Sequence, residues 1–172
     1  MLFKNQKQII KNGQTKELKK ARKDILDILA SSLKAVDPYK TVKSKFHGKS
    51  LVFEGETIDI SDFKNIFLVG FGKASIDMAE AVCGSVVIKM GVVVTSNPNK
   101  KVRSDCVDTF VGGHPIPNQK SIDGTEKILD VIRGCREDDL LIVLISGGGS
   151  ALLCKSRVGL GDLRQTTELL LK

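Results

Sequence analysis

The chain has 172 residues, 41% of them apolar, which suits one domain with a sizeable core. Aromatic residues make up only 5% and tryptophan is absent, which argues against a nucleic-acid surface built on base stacking. The net charge of +7 comes from the first 50 residues, where 13 Lys and Arg face 4 Asp and Glu. We expect this excess to be a solvated face rather than a site for nucleic acid or an anionic membrane.

The four cysteines, Cys83, Cys106, Cys135 and Cys154, lack the spacing of a zinc cluster, and we expect them to be reduced thiols. No uncharged apolar run approaches 18 residues and no cleavable leader is evident. These features predict a cytoplasmic protein with neither a membrane nor a nucleic acid as partner.

The first third of the chain predicts a basic, flexible lead-in over residues 1–14, followed by a helix from Thr15 to about Val36. Apolar residues recur at helical spacing in that stretch, and Thr15 is a suitable N-cap. Asp37-Pro38 ends the helix, because a residue before proline avoids the helical region. A short hairpin is predicted over residues 51–60.

From residue 66 onward, apolar runs alternate with helical patterns. Continuous runs of Val, Ile and Leu are typical of strands covered on both faces, and their alternation with helices is typical of parallel crossover units. The predicted strands are 66–70, 91–95, 107–112 and 140–145, and the predicted helices are 74–83, 121–132 and one that starts at Leu160. The fold class predicted is α/β, a three-layer Rossmann-like arrangement with helices flanking a mostly parallel sheet. The pattern stops inside the last helix, so we expect an incomplete domain from the front of a longer protein.

The first glycine loop, GFGKAS at residues 70–75, follows a predicted strand and opens a helix. Helix N-termini attract anions, and Lys73 adds a full positive charge at the same place. The loop fits neither the Walker pattern nor the dinucleotide fingerprint, because Ala74 and Ser75 occupy key positions. Alone, it is explained about equally well as an ordinary turn and as a ligand site.

The second glycine loop, SGGGS at residues 146–150, follows the run LLIVLI. Each ordered glycine costs roughly 0.5–1 kcal/mol relative to alanine, so three in a row predict that a ligand approaches the main chain. The alternative is a close backbone crossing inside the fold.

Between these loops lies GGHPIP at residues 112–117, a rigid turn that carries His114. His114 is as readily a structural hydrogen-bonding group as a ligand contact. Loops at the carboxyl ends of adjacent parallel strands meet at one edge of the sheet. The sequence therefore predicts a single anion cleft in which Lys73 is the interior cation.

These motifs occur together in a recognisable order: LKAVDPY (33–39), VGFGKASIDMA (69–79), GVVVT (91–95), GGHPIPN (112–118) and DDLLIVLISGGGSALL (138–153). As a set they resemble the amino-terminal domain of the glycerate 2-kinase family, whose carboxyl-terminal half is called the MOFRL domain. The resemblance covers about residues 15–172. Some members of the family carry the label hydroxypyruvate reductase.

The resemblance implies transfer of the γ-phosphoryl group of ATP to D-glycerate, with ATP and Mg²⁺ as the required cofactors. It implies a catalytic Lys73, with phosphate or substrate binding at a set of loop residues: Gly70, Gly72, His114, Ser146, Gly147, Gly148, Gly149 and Ser150. Family chains are more than twice as long, and no metal ligands are evident in residues 1–172. The remainder would come from a missing carboxyl-terminal half, for which a separate chain is a candidate partner, so we expect the 172-residue chain alone to lack measurable kinase activity. Asn118 also departs from the family, where an aspartate is common.

Two alternatives remain at this stage. A phosphosugar-binding module without catalysis would share the strand followed by a GxGK loop, although Ala74 and the GHP turn count against it. A hydroxypyruvate reductase would need a nicotinamide site, and the incomplete GxGxxG pattern argues against one.

Overall fold

The computed structural model describes residues 2–172. The chain divides into two compact units, one ending at Asp37 and the other beginning at Pro38. The division falls where the sequence predicts that proline ends the long helix. No helix within the described residues is long and apolar enough to cross a membrane.

The first unit contains two helices, α1 (Gln6–Lys11) and α2 (Lys16–Ala35). The α2 prediction is confirmed, and the Thr15 hydroxyl oxygen accepts a hydrogen bond from the Leu18 amide at 3.2 Å. Helix α1 lies within the predicted lead-in over residues 1–14, of which Met1 lies outside the described residues, and the flexibility of this segment stays a prediction. Gln and Lys are good helix formers, and the Arg22 guanidinium donates to the Ile9 carbonyl at 3.0 Å, which ties α1 to α2.

The second unit begins with α3 (Pro38–Lys43) and a small antiparallel sheet of β1 (Phe46–His47), β2 (Ser50–Phe53) and β3 (Glu56–Asp59). The predicted hairpin is confirmed as the β2–β3 pair. Strand β1 and helix α3 do not appear in the sequence-based prediction, because both are too short to show a period.

The main sheet contains four strands: β4 (Asn65–Phe71), β5 (Met90–Thr95), β6 (Val107–Val111) and β7 (Asp139–Ile145). All its pairings are parallel, and the strand order is β6-β5-β4-β7. The chain therefore moves outward from β4 to β6 and then returns to the other side of β4. The switch point of this topology lies between the carboxyl ends of β4 and its neighbours, which is where open α/β sheets bind ligands.

Helices cover both faces of this sheet: α4 (Ser75–Cys83) on one, α5 (Gln119–Gly134) and α6 (Gly149–Leu152) on the other, with α7 (Leu160–Leu170) following. Residues of β4 alternate between the two cores. Ile66 and Leu68 pack in the core with α4, and Phe67 and Val69 pack in the core with α5. The three-layer prediction is confirmed.

Candidate anion-binding site

The two glycine loops leave neighbouring strands, β4 and β7, and are hydrogen-bonded to each other. The Lys73 amide donates to the Gly147 carbonyl at 2.9 Å, and the Ser146 amide donates to the Phe71 carbonyl at 3.1 Å. The backbone at Lys73 is therefore held directly against the serine–glycine loop.

Ser146 strengthens the junction through its side chain. Its hydroxyl oxygen accepts a hydrogen bond from the Ala74 amide at 3.1 Å. Gly72 has φ of +117°, and a Cβ at that position would collide with the side chain and backbone of Ser146. Both the left-handed conformation and the close approach require glycine at position 72.

The third loop, with His114, meets the other two at Gly148. Gly148 has φ of +85°. A Cβ built on Gly148 would lie 2.9 Å from His114 Cδ2, 3.0 Å from His114 Nε2 and 3.2 Å from Lys73 Cε. The structure thus brings Lys73, His114 and the serine–glycine loop to one place, as the sequence predicts.

The turn that carries His114 is fastened at both ends. The Gly113 amide donates to the Ser121 hydroxyl at 3.0 Å, and the Asn118 side chain caps α5 by accepting from the Ser121 amide at 2.9 Å. The His114–Pro115 peptide bond is cis. Asn118 thus has a structural role as an N-cap.

The site is an open surface rather than an enclosed cleft. The side chains of Lys73 and His114 are exposed, as are Gly147 and Ser150, whereas Gly72 is buried beneath them. Lys73 is therefore solvent-accessible within residues 2–172, and its role as the cation of the site stays a prediction.

Two of the predicted glycines have a packing role. A Cβ at Gly70 would lie 3.3 Å from Leu144 Cβ, and one at Gly149 would lie 2.9 Å from the Phe71 ring. Their lack of side chains is explained by the close passage of β4 past β7 and of α6 past β4. Ligand binding at these two positions stays a prediction, as it does for the other loop residues.

The middle of the serine–glycine loop presents polar main chain. Neither Gly147 nor Gly148 donates its amide hydrogen to another residue within 2–172. A Cβ at Gly147 would meet no atom within 4 Å, so there is open space on that side of the residue. Backbone amides in such loops are suitable donors for a carboxylate or phosphate.

The residues at this site do not fit a protein-held magnesium ion. Magnesium in phosphoryl-transfer sites is held by one or two carboxylates together with substrate phosphates. Here the side chains are those of a lysine, a histidine and two serines, and residues 2–172 contain no group of three His, Cys, Asp or Glu that could hold a metal.

Sequence reasoning did not single out Ser75 as an organiser of the first loop. This serine is fully buried, and its hydroxyl donates to the Gly72 carbonyl at 2.7 Å and approaches the Val94 carbonyl at 3.3 Å. It ties the turn after β4 to β5. Its signal in the sequence is the serine at the third position of the incomplete GxGxxG pattern.

Fold and site together define a class: a three-layer α/β protein with glycine loops gathered around a lysine at the switch point of a parallel sheet. The chain belongs to the family described as domain of unknown function DUF4147, whose model matches residues 24–172.

Relatives carry the name that the motifs suggest. The chain is 35% identical over 152 residues to a glycerate 2-kinase from Pyrococcus horikoshii, covering 86% of this chain and 34% of that protein. The crystal structure of a glycerate kinase from Thermotoga maritima matches with a TM-score of 0.67 and 29% identity, over 86% of this chain and 34% of that one. The resemblance to the glycerate 2-kinase family is confirmed, and the chain spans about a third of the length of these relatives.

The alternative label also occurs among the relatives. A protein from Agrobacterium vitis named putative hydroxypyruvate reductase is 39% identical over 108 residues, which cover 60% of this chain and 24% of that protein. This match is shorter than the one to the Pyrococcus horikoshii protein.

Proposed function

We propose that this chain supplies the anion-binding part of a glycerate 2-kinase, which transfers the γ-phosphoryl group of ATP to D-glycerate. The observation that carries the proposal is the meeting of Lys73 and His114 at Gly148, beside two main-chain amides that donate to no residue within 2–172. The names of the relatives support the choice of reaction.

The chemistry of the site suits phosphoryl transfer. This reaction needs positioning and neutralisation of spreading negative charge more than covalent help from the protein. Lys73 supplies a full positive charge, while the amides of Gly147 and Gly148 supply directed donors. His114 is placed to donate a hydrogen bond to the same ligand.

Both substrates are anions, and the loops suit either the carboxylate of glycerate or the phosphates of ATP. Magnesium would neutralise the nucleotide phosphates when it is bound with ATP, but the site offers it no carboxylate. We therefore assign no residue of this chain a role in binding the metal ion. Lys73 and the loop amides bind and orient an anionic group. The complete reaction requires the longer kinase polypeptide, which we expect to act in the cytoplasm.

Binding by the purified chain tests the proposal. Titration calorimetry with D-glycerate and with a non-hydrolysable ATP analogue should give heat for at least one of them. Lys73→Ala should weaken that binding by about tenfold or more, since a charge-assisted hydrogen bond contributes about 1.5–3 kcal/mol.

The matched control is Lys64→Ala. Lys64 is also exposed, but it precedes β4 at the opposite end of the sheet and lies 3.9 Å from Asp138. Its removal should leave the affinity unchanged. Equal effects of the two substitutions would contradict a specific role for Lys73.

Two further ligands separate the alternatives. Fructose 6-phosphate binding without glycerate or nucleotide binding would favour a phosphosugar module, and NADH binding would favour the reductase. Because the chain spans a third of its kinase relatives, we expect no measurable turnover from it alone.

A further inference from the structure

The loop from β5 to β6, residues 96–106, runs beside helix α4 and is bonded to it at regular intervals. The Lys100 ammonium donates to the Asp77 carboxylate at 2.8 Å, and the Arg103 amide donates to the Glu80 carboxylate at 2.6 Å. Each step is three residues in the loop and three in the helix, where residues three apart lie on one face. The loop therefore follows one face of α4 toward the carboxyl end of the helix.

The next step of the same series falls on two cysteines, Cys83 at the last position of α4 and Cys106 at the end of the loop. The Ser104 hydroxyl lies between them. Its oxygen accepts a hydrogen bond from the Cys106 amide at 3.3 Å, and the same side chain is hydrogen-bonded to the Cys83 thiol. One hydroxyl group therefore connects the side chain of Cys83 to the main chain of Cys106.

The topology places both cysteines at the amino-terminal end of the main sheet, opposite the glycine loops. Helix α4 begins after β4 and returns toward the start of β5, and the Cys106 carbonyl accepts from the Gly91 amide of β5 at 2.8 Å. Cys83 packs against the core that contains Val102 and Val107. These two valines flank the segment that carries Cys106, so the fold holds the end of α4 beside the start of β6.

The two cysteines are free thiols that differ in their access to solvent. Cys106 is exposed and lies in a turn before β6, whereas Cys83 is half-buried. Burial raises the pKa of the Cys83 thiol, and the nearby Cys106 adds to this shift. Cys106 is therefore the thiol that a reagent from solvent meets first, and Cys83 is placed to react second.

We propose that Cys83 and Cys106 form a redox modification site, at which a small disulfide of the glutathione type converts the two thiols into an intramolecular disulfide. The Cys106 thiolate attacks the reagent, forms a mixed disulfide and releases one small thiolate. Cys83 gives its proton to solvent, attacks the Cys106 sulfur and displaces the second small thiolate. The cysteine pair loses two electrons, and the reagent gains them as it becomes two thiols.

This site is independent of the proposed kinase reaction, because it lies at the other end of the sheet from Lys73. The bond would join the end of α4 to the start of β6 around the intervening strand β5. Small reducing thiols would reverse the exchange, which suits the transient disulfides found in reducing compartments. The test therefore needs neither glycerate nor nucleotide.

The experiment incubates the folded 172-residue chain with oxidised glutathione at neutral pH and traps the remaining thiols with N-ethylmaleimide. Mass spectrometry then maps the disulfide-linked peptides. A peptide pair joined through Cys83 and Cys106 should be the main intramolecular product and should disappear on reduction with dithiothreitol. Its yield should be at least about tenfold higher in the folded chain than in concentrated urea, because only the fold holds the two thiols together.

Cys106→Ser is the decisive variant, since it replaces an exposed side chain and should fold. It should give no intramolecular disulfide at Cys83. Cys135→Ser is the matched control, because Cys135 is half-buried like Cys83 but follows α5 and packs in the core on the other face of the sheet. It should give the Cys83–Cys106 product in the same yield as the unmodified chain.

Stable glutathione adducts on Cys106 without the bond to Cys83 would overturn the inference. Equal yields of that bond in the folded and the unfolded chain would do the same, since the fold would then contribute nothing to the pairing. So would a folded chain in which Cys106 pairs mainly with Cys135 or Cys154.

Discussion

At the scale of single residues, adjacent glycines in one loop serve different purposes. Gly149 makes room for the Phe71 ring, and Gly148 adopts a left-handed backbone where three loops meet. Gly147 has neither constraint. The same residue type therefore reflects packing, conformation and main-chain exposure at three successive positions.

Gly148→Ala should lower the free energy of unfolding by about 1–2 kcal/mol. The backbone at position 148 is left-handed, and a residue with a Cβ is strained in that conformation. The added methyl would also press on His114 and Lys73, so anion binding should weaken as well. Urea unfolding and calorimetry would measure the two effects.

Gly147→Ala is the control for stability, because its Cβ meets no atom within 4 Å. Its free energy of unfolding should lie within about 0.5 kcal/mol of that of the unmodified chain. Equal destabilisation by both substitutions would contradict the different roles assigned to these neighbours.

The sequence predicts which residues meet, but not how each of them contributes. Lys73, His114 and the serine–glycine loop are identifiable because glycine-rich loops after buried strands converge in parallel sheets. The packing role of Gly70 depends on Leu144, which is 74 positions away and comes close only through strand pairing. The burial of Ser75 likewise requires the tertiary structure.

At the scale of elements, the turn that carries His114 depends on the start of α5. Asn118 and Ser121 form a reciprocal cap there. The loop before the helix is held by the same two side chains, because the Gly113 amide donates to the Ser121 hydroxyl. The stability of α5 and the placement of His114 are thus coupled.

Asn118→Ala should lower the free energy of unfolding by about 1 kcal/mol through loss of the cap. Asn118→Asp should keep or slightly raise the free energy of unfolding, since a carboxylate is favourable at a helix N-terminus. Urea unfolding would measure both, with Lys120→Ala as a control at an exposed neighbouring position. If Asn118→Ala had the same free energy of unfolding as the unmodified chain, the capping role would be contradicted.

Periodicity is sufficient to predict the long elements. Helix α2, helix α5 and strands β4, β5 and β7 have clear apolar patterns. Helix α1 and strand β1 are short, and α1 is stabilised by a contact from Arg22 that no local pattern reveals.

At the scale of the whole molecule, the thiols report on the integrity of the fold. Cys106 is exposed, whereas Cys154 is buried and its amide donates to the Thr125 hydroxyl at 2.8 Å. Burial also raises the pKa of the Cys154 thiol. At neutral pH, a smaller fraction of Cys154 is therefore the reactive thiolate than for a cysteine with the ordinary pKa.

Iodoacetamide should therefore modify Cys106 in the folded protein much faster than Cys154. Peptide mass spectrometry would follow each site, and modification of Cys154 should require unfolding. In concentrated urea the two rates should converge. Equal rates in the native protein would contradict the packing of the segment after α6.

The central claim is that three loops from one sheet edge form a single anion-binding site. Amide chemical shifts followed by nuclear magnetic resonance during titration with D-glycerate and a non-hydrolysable ATP analogue test it most directly. We predict that Gly72, Lys73, His114 and Gly147–Ser150 respond together with one shared affinity for the ligand that binds. Responses confined to residues at the opposite end of the sheet, or different affinities for the three loops, would contradict the claim.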